Sequence, residues 1–217
     1  MNNSQAMLRC VLVLALAYVV LLTASVRFGP LYSAAWLPLF QWQMEFVAPD
    51  YKVVTLRVAE RQRQRVIEAV IETVRPVRVG GTIIPAGASV TASTVIGHQL
   101  LHPVLLFSLL LAWSERRRIT LKARGLLLLL AVPVLGVVEM LDIPLVLLGS
   151  VQDLLLARLA PDQLRASVLV YWMNFLDSGG RQALTLAAAG LTWIAYRSIR
   201  LKKPVIGGVR HAAPLPE

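Results

Sequence analysis

GLLLLLAVPVLGVVEMLDIPLVLLG, residues 125–149, runs for 25 residues with no ionisable side chain except Glu139 and Asp142. At a rise of ~1.5 Å per residue, a helix of this length exceeds the ~30 Å hydrocarbon core of a bilayer. The stretch therefore reads as a transmembrane helix. An ionisable group inside a span is costly unless it is paired or hydrated, so the two acids stand out as residues the protein needs there. Three positions apart, they share one helical face.

The rest of the chain agrees with a membrane setting. Of 217 residues, 57% are hydrophobic and 16% charged, with a mean hydropathy of +0.65. An ordinary soluble domain carries about 25% charged residues. Residues 10–26 form a first uncharged run between Arg9 and Arg27, near the lower limit for a span. A signal peptide ending at Thr23-Ala24-Ser25 is the alternative, and a retained anchor is preferred because signal cores usually run to about 7–15 residues. Residues 95–113 supply a second span. A fourth, 179–199, is apolar only over 183–196, so Arg181 must snorkel or find a partner. The fold class is a mainly α membrane protein of about four transmembrane helices.

The net charge of +10 would suggest nucleic acid in a soluble protein. Here the basic residues flank apolar runs, so no nucleic-acid partner is expected. Loop 114–124 carries Arg116, Arg117, Arg118, Lys122 and Arg124 against Glu115, and the region after Tyr196 carries Arg197, Arg200, Lys202 and Lys203. The positive-inside rule puts both in the cytoplasm, and with four spans the N-terminus as well. Segments 27–94 and 150–178 then lie on the outer side of the membrane. The long first loop is itself rich in arginine, but loops above ~60 residues cross largely regardless of charge. Cys10 is the single cysteine, which excludes an intramolecular disulfide and a CxxC site.

The chain divides into an anchor at 1–26, an external segment at 27–94, a helical hairpin at 95–149, interfacial helices at 150–178, span four at 179–199 and a basic, disordered tail at 200–217. Within 29–42, Tyr32, Trp36, Phe40 and Trp42 accompany Pro30 and Pro38, which suits the headgroup level better than a regular helix. Dense β-branched residues from Val53 to Val90, punctuated by Gly80-Gly81 and Pro85-Ala86-Gly87, predict a small antiparallel β unit over 51–94. The stretch 60–74 also fits a helical stripe. Residues 151–159 predict an interfacial helix, and 167–176 a re-entrant or interfacial one broken by Asp177-Ser178-Gly179-Gly180.

The candidate chemistry lies on spans two and three. His98 and His102 are four apart and share a face, and His102 and Asp142 each lie seven residues from the outer end of their run. Neighbouring spans would bring His98, His102, Glu139 and Asp142 together, with Asp177 and Arg181 closing the pocket. Three readings compete: a structural polar network, a transition-metal or haem site using His98, His102 and Asp142, and proton transfer with a histidine base. Pro103, Pro133 and Pro144 free backbone carbonyls that can line such a pocket. No GxSxG, HExxH or phosphate loop is present. Repeated halves of the kind transporters show are also missing.

One anchor, a β-rich outer segment and a compact helical hairpin with a basic inner loop resemble small bacterial inner-membrane accessory proteins, including those associated with exosortase systems. The resemblance is one of arrangement over most of the chain, and no site residue is carried over from it. It implies an accessory subunit or scaffold in the bilayer, docking another membrane or periplasmic protein or a second copy. The outer segment and the small-residue face Ala187, Ala188, Ala189 and Gly190 are the expected contact surfaces. The competing expectation is a metal-dependent or proton-handling enzyme.

Overall fold

The computed structural model describes residues 3–117 and 119–201. Arg118, Lys202, Lys203 and the tail expected to be disordered lie outside the described residues. The fold is mainly helical with a small sheet. Helix α1 (Asn3–Val47) is 45 residues long, about 68 Å. It corrects the expectation for 29–42, because the helix continues through Pro30 and Pro38. A proline removes the hydrogen bond to the carbonyl four residues back. For Pro30 that carbonyl is Val26 O, and Arg65 Nη1 donates to it at 3.4 Å. Tyr32, Trp36 and Phe40, four apart, form a ladder with successive ring centroids 6.1 Å apart. That helical spacing outweighs the prolines.

Strands β1 (Tyr51–Arg61), β2 (Gln64–Thr73) and β5 (Ser89–Val95) form an antiparallel sheet in the order β1-β2-β5, and β3 (Val77–Val79) pairs with β4 (Thr82–Ile84). The β1–β2 turn places Gln62 and Arg63 at φ +49° and +64°, the pattern of a tight two-residue hairpin. The ambiguous stretch 60–74 is therefore strand, turn and strand. Ile67, Ala69 and Ile71 face inward against Phe40, Met44, Ile143, Leu147 and Val151. Glu68 and Glu72 point to the opposite face. A unit this small needs such a partner, and full burial of a side chain like Phe40 contributes about 1.5–3 kcal/mol.

Helix α2 (Ile96–Arg116) follows β5 directly, and α3 (Leu121–Leu159) is a single 39-residue helix. The separate interfacial helix expected at 151–159 is instead the last part of α3. Gly149 does not end α3; it admits another backbone, since a Cβ there would lie 2.7 Å from Leu169 O on α4 (Val168–Phe175). After a 3-10 turn at Pro161–Ala166, α4 leads into a break at 176–180, where Gly179 takes φ +108°, and then into α5 (Arg181–Leu201). The sequence signal Asp177-Ser178-Gly179-Gly180 marks this break correctly.

Among the described helices α1, α2 and α3 are long and apolar enough to cross a membrane. Helix α5 equals α2 in length but carries Arg181, Gln182, Thr185 and Thr192, and is not one of these three. Far from the sheet, the Cys10 thiol donates to Ala112 O at 3.4 Å and Trp113 stacks on Trp193 with centroids 5.3 Å apart. Leu106, Leu110, Leu127, Ala131, Ala188 and Ala189 form the core of that end.

Candidate functional site

Four helices bring a polar cluster into the interior. Its lower rung joins α2, α3 and α5. Asp142 is fully buried and its Oδ2 lies 2.8 Å from His102 Nε2. Arg181 Nε donates to both of its oxygens, at 3.1 and 2.9 Å. Arg181 Nη1 also donates to Asp177 Oδ1 at 2.6 Å. His102 Nδ1 lies 2.8 Å from Thr185 Oγ1, which is itself 2.8 Å from Arg181 O. The threonine hydroxyl has one proton to give. Directed at Arg181 O, it makes both ring nitrogens of His102 donors, so the ring is an imidazolium. Turned to Nδ1, it leaves a neutral ring with its proton on Nε2 facing Asp142.

The upper rung joins α1, α2 and α3. Tyr32 donates to Glu139 Oε1 at 2.7 Å, and Ser33 donates to Gln99 Oε1 at 2.6 Å. Gln99 lies beside Glu139, yet Gln99 Nε2 and Glu139 Oε2 are both buried without a partner in bonding geometry. Arg181 Nη2 is the third unpartnered atom of the cluster. Burying polar groups without partners costs about 1–3 kcal/mol each, so the upper rung is the less complete of the two.

Pro144 leaves Met140 O without its helical donor, and Gln43 Nε2 on α1 donates to that carbonyl at 2.8 Å. Trp172 Nε1 on α4 donates to the neighbouring Leu141 O at 2.7 Å. The proline that could have opened carbonyls into a pocket thus clamps α3 between α1 and α4.

The structure brings together five of the six expected residues, in two groups. His102, Asp142, Arg181 and Asp177 form one connected network, and Glu139 lies one helical turn away from it. His98 is exposed in the first turn of α2, near Arg181 and Asp177 but hydrogen-bonded to neither. Of the proposed metal set His98, His102 and Asp142, two members meet. Among the described residues no three His, Cys, Asp or Glu side chains are arranged to share an ion. Of the expected small-residue face, Ala188 and Ala189 are buried inside the chain's own core, and Ala187 is exposed.

Sequence reading missed Tyr32, Ser33, Gln99, Thr185 and Gln43. A signal existed for two of them. Gln99 lies three residues from His102 in an apolar run, and Thr185 lies four residues from Arg181, so each shares a face with a residue already singled out. Comparison with family models, curated proteins and solved structures finds no match to this chain.

Proposed function

We propose that the chain is a four-span accessory or scaffold protein of a bacterial inner membrane, part of an envelope-associated complex of the exosortase-associated kind. Its partner is another membrane or periplasmic protein, or a second copy. The first three long helices alternate in direction, and α5 returns beside α3 and α2. Arg9, Arg116, Arg124, Arg197 and Arg200 consequently gather towards one end, and the sheet lies at the other. That polarity supports cytoplasmic ends for the described chain and a periplasmic sheet.

The single observation that carries the accessory reading is the closure of the lower rung: both oxygens of Asp142 and both nitrogens of His102 are taken by protein groups. Such a network holds helices in one arrangement, and a ligand could take a His102 nitrogen only by displacing Asp142 or Thr185. The test is purification of the full chain from native membranes in mild detergent without chelators, with mass and metal content measured. A stoichiometric second protein or second copy, retained in His98→Ala, is expected, without stoichiometric metal. Stoichiometric metal that is lost from a folded His102→Ala variant would overturn the accessory reading.

A second reading is favoured by Glu139, whose Oε2 has no partner beside the equally unpartnered Gln99 Nε2. An incomplete rung of this kind suits a proton-handling enzyme using His98, His102, Glu139 and Asp142. Its signature would be an activity lost in Glu139→Gln while the fold is kept.

A further inference from the structure

The β1–β2 turn reads Arg61-Gln62-Arg63-Gln64-Arg65, and all five residues are exposed. Simple lengths place it. β1 leaves the end of α1 at Tyr51 and its 11 residues cover about 36 Å at ~3.3 Å each. The helix segment from Val47 back to Val26 measures about 32 Å. The strand therefore returns along α1 to Val26. Arg65 marks the arrival by donating to Val26 O, the carbonyl that Pro30 leaves without a helical donor. Val26 is the last residue of the first uncharged run, and the exposed Arg27 follows it. The other side of the sheet agrees, because Val66 pairs with Val95 and α2 begins at Ile96. The turn thus lies where two apolar helices both begin or end their uncharged stretches.

The surface around the turn has two characters. On α1, Val26, Phe28 and Leu31 are 69%, 61% and 73% exposed, an apolar band. Beside it are Arg27, Arg57, Arg61, Arg63 and Arg65. Glu68 pairs with Arg57 and Arg61, and Arg65 is bonded to a carbonyl. Among the described residues Arg27 and Arg63 have no carboxylate partner.

We propose that this arginine turn is a foot that binds the anionic phosphodiester headgroups of the leaflet on the sheet's side of the bilayer. The proposal rests on the reading that α1 crosses the membrane. A guanidinium offers a planar fork of donors that matches two phosphate oxygens. The lipid is the source of the phosphate because the arginines adjoin an apolar band: acyl chains would cover the band, whereas free phosphate would leave it bare. Held at both ends, by α1 and by the headgroups, the sheet keeps a fixed height above the membrane.

The test uses the full chain with Cys10→Ser and Gln64→Cys, the latter carrying a fluorophore, reconstituted in phosphatidylcholine vesicles. Quenching is measured with phosphatidylglycerol or phosphatidylcholine, each spin-labelled at the glycerol end of an acyl chain. Phosphatidylglycerol should quench more strongly, by an enrichment on the order of fivefold per engaged arginine. Arg27→Gln/Arg63→Gln, which leaves the Arg65 bond intact, should bring the two lipids towards equality with an unchanged circular dichroism spectrum. Sodium chloride should weaken the preference, and inorganic phosphate at equal ionic strength should do no more.

Equal quenching by both lipids in the unsubstituted turn would overturn the proposal, and so would a loss specific to inorganic phosphate. Quenching by neither lipid, from a chain that alkaline carbonate leaves in the vesicles, would overturn it in favour of an acidic protein partner. Release by carbonate would overturn the span reading first, and the proposal with it.

Discussion

Glu68 in the sheet and Asp142 in the helices are each held by two cationic or potentially cationic side chains. Arg57 Nη2 and Arg61 Nη2 contact Glu68 at 2.9 and 2.5 Å, and Arg181 and His102 contact Asp142 at 2.9 and 2.8 Å. The surroundings differ. The arginine side chains on Glu68 are 64% and 54% exposed, while those around Asp142 are 0% and 4% exposed. The Glu68 side chain is itself only 6% exposed, but it keeps one arginine when the other is lost, and the arginine charges already reach solvent, so the loss is small. In the interior the same loss strands a charge where water cannot reach it. Similar contact distances therefore hide different energetic weights, and distance alone does not rank the two sites.

The comparison breaks most visibly at Arg181. Arg181→Ala removes the forked Nε donor from Asp142 and the Nη1 donor from Asp177, and should destabilise the full chain by about 3–5 kcal/mol in a detergent unfolding titration. Arg61→Ala should move the same transition far less. Equal shifts would mean that water reaches Asp142, and the helical network would then lose its claim to be a lock.

Gln43→Leu comes next. It keeps the side chain's bulk but removes the donor to Met140 O, leaving that carbonyl without a partner at Pro144. A loss of about 1–3 kcal/mol is expected, measured by the same unfolding titration. The sheet has a weaker counterpart, Gln41 Nε2 on α1 donating to Val53 O of β1 at 3.4 Å.

Much of this was legible in the sequence, and what was hidden has a physical cause. The depth match of His102 and Asp142 needed only residue counting and the assumption that a short loop makes neighbours. The Asp177–Arg181 pair needed only helical spacing. Tyr32 and Ser33 were hidden because Pro30 and Pro38 argued against a helix, and the compensation, Arg65 on Val26 O, comes from a strand almost 40 residues away. Likewise, nothing local says that Pro144 is capped by Gln43 and Trp172. Proline's effect on its own helix can be read from sequence, but the partner of the freed carbonyl is a tertiary fact. The face shared by His98 and His102 was legible too. It was misleading only in suggesting that both side chains reach the interior.

Acid separates the two carboxylates more gently. Hydrogen bonds from Arg57 and then Arg61 hold Glu68 below the ordinary carboxyl value of 4.5. Because the folded state binds the proton less well than the unfolded one, this stabilisation is fully present above 4.5 and is lost as the pH falls through the lowered value. Glu68→Gln should remove that acid-side slope from the sheet's unfolding, and added salt should shrink it in the unsubstituted protein. The Asp142 network, shielded from solvent, should respond little to salt. A salt-independent slope would place Glu68 in a drier setting than its neighbours suggest.

The smallest expected effect belongs to His98, and it sharpens the comparison inside the cluster itself. His98 and His102 sit on one helix four residues apart, one exposed and unbonded, the other buried with both nitrogens engaged. His98→Ala should change stability by no more than about 0.5 kcal/mol, as an exposed substitution without a specific contact does. Added zinc should not raise the unfolding midpoint of the unsubstituted chain. For zinc to bind at the cluster, His102 would have to release Asp142 or Thr185, and the lost network would offset the new bond. Stabilisation by zinc that disappears in His98→Ala would show that His98 swings inward and completes a site with His102 and Asp142. The lower rung would then be a metal centre at rest instead of a closed lock.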